Sequence, residues 1–107
     1  MKIPGSIRIG GIDYVIEYGD NLRIGNEICY GIISYNDCTI TISTSDSNSH
    51  QHKCITLWHE ILHGIFEHAC LHPENEEQVV EILSKGIYQV LQDNGGALFD
   101  IKEQEKT

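Results

Sequence analysis

The spacing of apolar residues changes once along the chain, from a period near two to a period near 3.6, dividing it into a strand-forming and a helix-forming half. Residues 7–9 and 12–18 are rich in Ile, Val and Tyr and are joined by Gly10-Gly11, a dipeptide that supplies the positive φ of a tight hairpin. A polar stretch over residues 20–27 reads as either a short helical turn or a loop. Residues 28–35 and 38–43 then repeat the strand pattern about Asn36-Asp37, which predicts a second hairpin. In its last strand Ile40 and Ile42 alternate with Thr39, Thr41 and Ser43, the signature of a sheet with one dry face.

Residues 44–49 are polar and rich in N-capping side chains, and the helical spacing begins directly after them. Ile55, Trp58, Leu62, Ile65 and Ala69 fall on one stripe of a helix from about residue 50 to 68 or 70, which Leu71-His72-Pro73 stops. A second helix starts near residues 74–76, where acidic side chains suit the dipole, carries Val79, Val80, Leu83, Ile87 and Val90, and ends at Asp93-Asn94-Gly95-Gly96. The expected architecture is α+β: a small antiparallel sheet of two hairpins packed on two helices. The sheet half covers residues 1–43, the helical half 50–94 and a short tail 95–107, in which Ala97-Leu98-Phe99 is the only apolar cluster. At 107 residues the chain is expected to form a single domain.

Composition narrows the function classes. Sixteen Asp plus Glu against seven Lys plus Arg give a net charge of −9, which disfavours direct binding to nucleic acid or to an anionic membrane surface. No apolar run approaches the roughly 18 residues of a membrane span, and the first residues lack an apolar export core, so a cytoplasmic location is expected. The four cysteines have no C-x-x-C spacing and are expected to stay reduced.

The chemistry concentrates between His50 and His72, where all six histidines lie. Within that window the first helix carries His59-Glu60-Ile61-Leu62-His63, an H-E-x-x-H. Residues four apart stack on one helix face, so His59 and His63 can aim at one Zn²⁺ while Glu60 lies where it can take a proton from water. A third protein ligand is required. The metzincin spacing would need histidine where Ala69 stands and glycine where Phe66 stands, so that subclass is excluded. His68 and His72 lie on or just past the same helix and would have to fold back. Glu76 and Glu77 on the second helix are both better placed, and edge-to-edge packing of the two stripes favours Glu77. Glu81, one turn further, reads more simply as a solvated carboxylate than as an acceptor for a ligand histidine. Trp58 reads as core and Tyr88 as packing.

These segments resemble a family. MKIPGSIRIGGIDYVIEY, TITIS, TLWHEILHGIFEH and EEQVVEILSKGIYQVLQDN together look like the small phage and prophage-encoded zinc metallopeptidases grouped with the ImmA/IrrE proteins, in the gluzincin-like branch of zincins. The resemblance covers most of the chain. It implies a zincin-like fold, His59 and His63 as zinc ligands, Glu60 as catalytic base, a second-helix glutamate best matched by Glu77 as third ligand, and a bacterial host cell as the setting. Larger members carry a DNA-binding or sensor domain and cleave a repressor, and this chain has room for neither added domain. The expected function is therefore hydrolysis of peptide bonds in a protein substrate, such as a phage or host regulator, with the substrate extended along an exposed sheet edge. A basic DNA-binding repressor would be attracted by the −9 charge. The competing reading is a catalytically silent zincin-like binding module, an antirepressor or inhibitor, which would have no use for Glu60.

Overall fold

A computed structural model describes residues 1–99. β1 (Ser6–Ile9) and β2 (Ile12–Gly19) form the first expected hairpin, with Gly10 at φ 59° and Gly11 at φ 82° making the turn. β3 (Arg23–Ile24) and β4 (Glu27–Ile28) form a separate two-stranded ribbon turned by Gly25 at φ 63°. This ribbon replaces the helical turn or loop expected there. β5 (Gly31–Ser34) and β6 (Thr39–Ser43) are the second hairpin, in register about the Asn36-Asp37 centre.

The α+β class holds, but the main sheet is mixed rather than wholly antiparallel. Its order is β1-β2-β6-β5, and β2 pairs with β6 in parallel. A parallel junction needs a long connection. Residues 20–38, with the ribbon and β5, provide it, and β6 returns into the centre of the sheet. Its alternating pattern suits that place, because Ile40 and Ile42 are fully buried there. β5 is left as an edge strand.

α1 (His50–His68) starts where Ser49 accepts a hydrogen bond from the His52 N–H at 3.2 Å. It lies on the sheet through Leu57 and Ile61, completing a core with Ile9, Tyr14, Ile16, Ile40 and Ile42. Gly64 allows the close approach: a Cβ there would sit 3.1 Å from Ile9 Cδ1. α2 (Glu76–Leu98) packs on α1 and has no comparable contact with the sheet, so the layers run sheet, α1, α2.

Both helical stripes are rotated from the expected ones. On α1, Leu62 is buried and Trp58 packs on the core as expected, but Ile65 and Ala69 face solvent and the buried line is centred on Cys54, Leu57, Ile61 and Gly64. On α2, Val80 and Ser84 are fully buried, whereas Leu83 and Val90 are exposed. α1 is covered on two sides, and α2 must turn its glutamates toward the first helix, which a stripe of hydrophobicity alone does not register. α2 also runs through Gly95-Gly96 to Leu98, four residues past the expected end at 94. The tail expected over 95–107 is thus helical at its start, Phe99 is exposed, and residues 100–107 lie outside the described residues. All four thiols are free. No helix among the described residues is long and apolar enough to cross a membrane.

Candidate metal centre

One face of α1 carries His59, Glu60 and His63, and the first turns of α2 carry Glu76, Glu77 and Glu81 against it. The two helices meet at Glu77. Its Oε1 lies 2.9 Å from His59 Nε2 and its Oε2 lies 2.8 Å from His63 Nε2. One donor atom from each of His59, His63 and Glu77 falls within 4.8 Å of the others, a group able to hold a metal ion.

The far sides of both imidazoles are also occupied. His63 Nδ1 is 2.6 Å from Glu76 Oε2, and His59 Nδ1 is 3.2 Å from Glu81 Oε2. The glutamates therefore divide the work: Glu77 faces both Nε2 atoms, while Glu76 and Glu81 each face one Nδ1. Glu81 is thus a histidine partner, not merely the solvated carboxylate expected from sequence. Its other oxygen is 3.1 Å from Lys85 Nζ. Glu76 is held in turn by His72, whose Nδ1 is 3.0 Å from Glu76 Oε1. His68 points elsewhere, with Nε2 2.8 Å from the Tyr14 hydroxyl.

Each ring thus meets a carboxylate oxygen at both nitrogens. A divalent cation at the two Nε2 atoms and Glu77 satisfies the same geometry and leaves each Nδ1–H free to donate to its glutamate. One donor atom from each residue within 4.8 Å of the others is the range in which a single ion with ligand bonds of about 2.0–2.1 Å could gather them. Nitrogen and carboxylate donors in this ratio suit a borderline ion such as zinc.

Glu60 is different from the other glutamates. It is only 7% exposed, and burial raises its pKa to about 7, with His63 pulling it down and Glu77 pushing it up. Gly31 on β5 makes room for it. A Cβ at Gly31 would lie 2.5 Å from Thr56 Cγ2 and 3.1 Å from Glu60 Oε2. For His63, burial disfavours the charged ring, but the Glu76 hydrogen bond, with Glu60 and Glu77, outweighs it and raises the pKa. The His63 hydrogen bond holds Glu76 below the usual carboxylate range, and Lys85 does the same for Glu81.

The centre opens into a groove of about 780 Å³ between the β5 edge, the β3–β4 ribbon and α1. Tyr30 O accepts from Ser43 N–H at 2.8 Å, so pairs 30/43, 32/41 and 34/39 carry the ladder bonds and the main-chain groups of Gly31 and Ile33 face the free edge. Tyr35, at the end of β5, donates its hydroxyl to His63 O at 3.2 Å. Burial, reinforced by Glu67, Glu76 and Glu60, pushes the Tyr35 pKa to about 12, so it keeps its proton. At the opposite end His52 packs edge-on against Tyr30 and meets Asn48 Oδ1 at 2.5 Å.

Sequence reasoning singled out His59, Glu60, His63 and Glu77, and all four come together here. It missed Gly31, Tyr35 and the pairing role of Glu76, and it weighed Glu81 as a histidine acceptor but favoured a solvated carboxylate. The offset of Glu76 and Glu81 from Glu77 by one residue and one turn was the available signal, since ligand histidines seek carboxylate partners. Trp58 packs against the core as expected, and Tyr88 is half-buried away from the groove. Comparison of the chain with protein-family models, with curated proteins and with solved structures finds no match in any of the three.

Proposed function

We propose that the protein is a zinc-dependent metallopeptidase of ImmA/IrrE-like type that hydrolyses peptide bonds in a protein substrate. The observation that carries this reading is the division of labour around the two imidazoles: both Nε2 atoms converge on Glu77, both Nδ1 atoms are held by other carboxylates, and a buried glutamate adjoins them. A merely structural metal site has no use for that fourth carboxylate.

His59, His63 and Glu77 would hold the zinc, which supplies Lewis-acid polarisation of a carbonyl and lowers the pKa of water. Glu76 and Glu81 fix the ring orientations by accepting from Nδ1–H. The outward N–H and C=O groups of Gly31 and Ile33 pair with an extended substrate, as at any open sheet edge. Glu60, one face of which lies against Gly31, accepts the proton of the attacking water on its carboxylate and delivers it to the leaving amine. Tyr35 keeps its proton and here donates its hydrogen bond to His63 O; released from that acceptor, it would be the donor to the carbonyl oxygen as charge develops on it.

The test is hydrolysis of an unfolded protein such as casein by the zinc-loaded protein, with Glu60→Gln beside it. The variant should keep stoichiometric zinc and lose cleavage. Equal binding of a partner protein by both forms, with no cleavage by either, would favour the silent binding module. A basic repressor remains the partner class most favoured by the −9 charge.

A further inference from the structure

The β3–β4 ribbon overhangs the groove and takes no part in the proton transfers. Among the described residues it packs substantially on no helix and on no strand of the main sheet. Its base is tied by the Cys29 N–H to Leu22 O bond at 3.0 Å. A two-stranded ribbon of this length is marginal alone. It nevertheless holds two large aliphatic side chains in water, Ile24 at 64% and Ile28 at 70% exposure, and both line the groove. Ile55 of α1, half-buried, lines it too. Such side chains are held out of water only if something apolar comes between them.

The surroundings specify what that is. β4 ends at Ile28, three residues before Gly31, so a chain paired with the outward groups of Gly31 passes beside the ribbon. Of the exposed carboxylates lining the groove, Glu77 and Glu81 are engaged by the histidines and Lys85, which leaves Glu27 on the ribbon to face a bound chain, and none of the described lining residues is Lys or Arg. An acidic peptide is repelled and a basic one attracted. We infer that the groove selects an extended, basic peptide segment with a bulky aliphatic or aromatic side chain, which Ile24, Ile28 and Ile55 enclose beside the scissile bond. The inference deepens the metallopeptidase reading and rests on it for the zinc anchor, though not for turnover.

The probe is a series of succinyl hydroxamates that differ in one side chain, isobutyl, methyl or carboxymethyl, titrated calorimetrically into the zinc-loaded full chain. The isobutyl compound should bind at least about tenfold tighter than the methyl one, with carboxymethyl weakest. In the double variant Ile24→Ser, Ile28→Ser the isobutyl preference should fall below about threefold with zinc stoichiometry unchanged. Both positions are exposed, so the fold does not depend on them. Glu27→Lys should narrow the gap between methyl and carboxymethyl. An isobutyl preference that persists in the double variant, or its absence in the wild type, overturns the inference. Hydroxamate binding requires zinc but no catalysis, so preference without any peptide cleavage would sink only the peptidase reading. Cleavage without preference would sink only the apolar subsite, and no hydroxamate binding by zinc-loaded protein would sink both.

Discussion

The Nδ1 atom of His63 lies 2.6 Å from Oε2 of Glu76, one residue before the glutamate that faces the Nε2 atom of the same ring. Consecutive residues on a helix point about 100° apart, so Glu76 and Glu77 reach opposite sides of one imidazole only because α1 and α2 pack closely here. Glu76→Gln should keep one zinc per chain at saturation and weaken its affinity about 10- to 100-fold, the usual cost of losing a carboxylate partner of a ligand histidine. Glu77→Ala should weaken it further, since a ligand is lost. Competition against a chelator of known affinity measures both. Equal affinities for the two variants would contradict the division of roles.

Glu60 makes the metal-free protein sensitive to pH. Its pKa rises from 4.5 unfolded to about 7 folded because burial disfavours the carboxylate, so the stability it contributes is fully present below 4.5 and is lost as pH rises through 7. The shift amounts to roughly 3 kcal/mol, an order-of-magnitude figure. His63, raised by its glutamate partners against its own burial, acts in the same direction. Glu76 and Glu81 are lowered and act oppositely, but only as pH falls below 4.5. The melting temperature of the metal-free chain should therefore fall between pH 5 and 8, and Glu60→Gln should flatten most of that slope. A flat wild-type profile would show that Glu60 is not held in a dry environment.

Gly31 sets the distance between the sheet edge and the helix that bears Glu60. Gly31→Ala places a methyl group 2.5 Å from Thr56 Cγ2 and should destabilise the fold by about 1–3 kcal/mol, the cost of overpacking. Thr56→Ser removes that methyl and keeps the hydroxyl bond to His52 O at 2.8 Å. The double variant should recover at least half of the loss in a denaturation cycle. Strict additivity of the two substitutions would mean that the contact is not what requires glycine.

Tyr35→Phe removes a hydroxyl that bonds His63 O and, in the proposed reaction, the substrate carbonyl oxygen. Zinc stoichiometry should be unchanged and kcat should fall about 10²- to 10³-fold with little change in KM, as for loss of an oxyanion donor. An unaltered kcat would leave Tyr35 as a clamp on the helix backbone alone.

How much was legible in the sequence depended on whether the signal was local. Gly10-Gly11, the alternation of Ile40 and Ile42, the Ser49 cap and the H-E-x-x-H spacing each act within a few residues, and each element they predict is present. The parallel β2–β6 pairing was hidden because it joins residues more than 20 apart through a ribbon whose own strands are two residues long. The helical stripes were misread by a rotation. A hydrophobic period reports one buried side, whereas α1 is covered by the sheet and by α2, and α2 turns Val80, Ser84 and the half-buried Glu76 inward while Glu77 reaches the histidines from an exposed position. Glu77 was reachable by angle, but the pairing of Glu76 and Glu81 with the ring Nδ1 atoms required the helix–helix register.

The central claim is that His59, His63 and Glu77 form a zinc centre. The most direct measurement is elemental analysis of the purified, untagged chain after zinc reconstitution, beside His59→Ala and Glu77→Ala. The account predicts one zinc per chain in the wild type and substoichiometric zinc in both variants after dialysis. No zinc in the wild type, or stoichiometric zinc retained by His59→Ala, would contradict it.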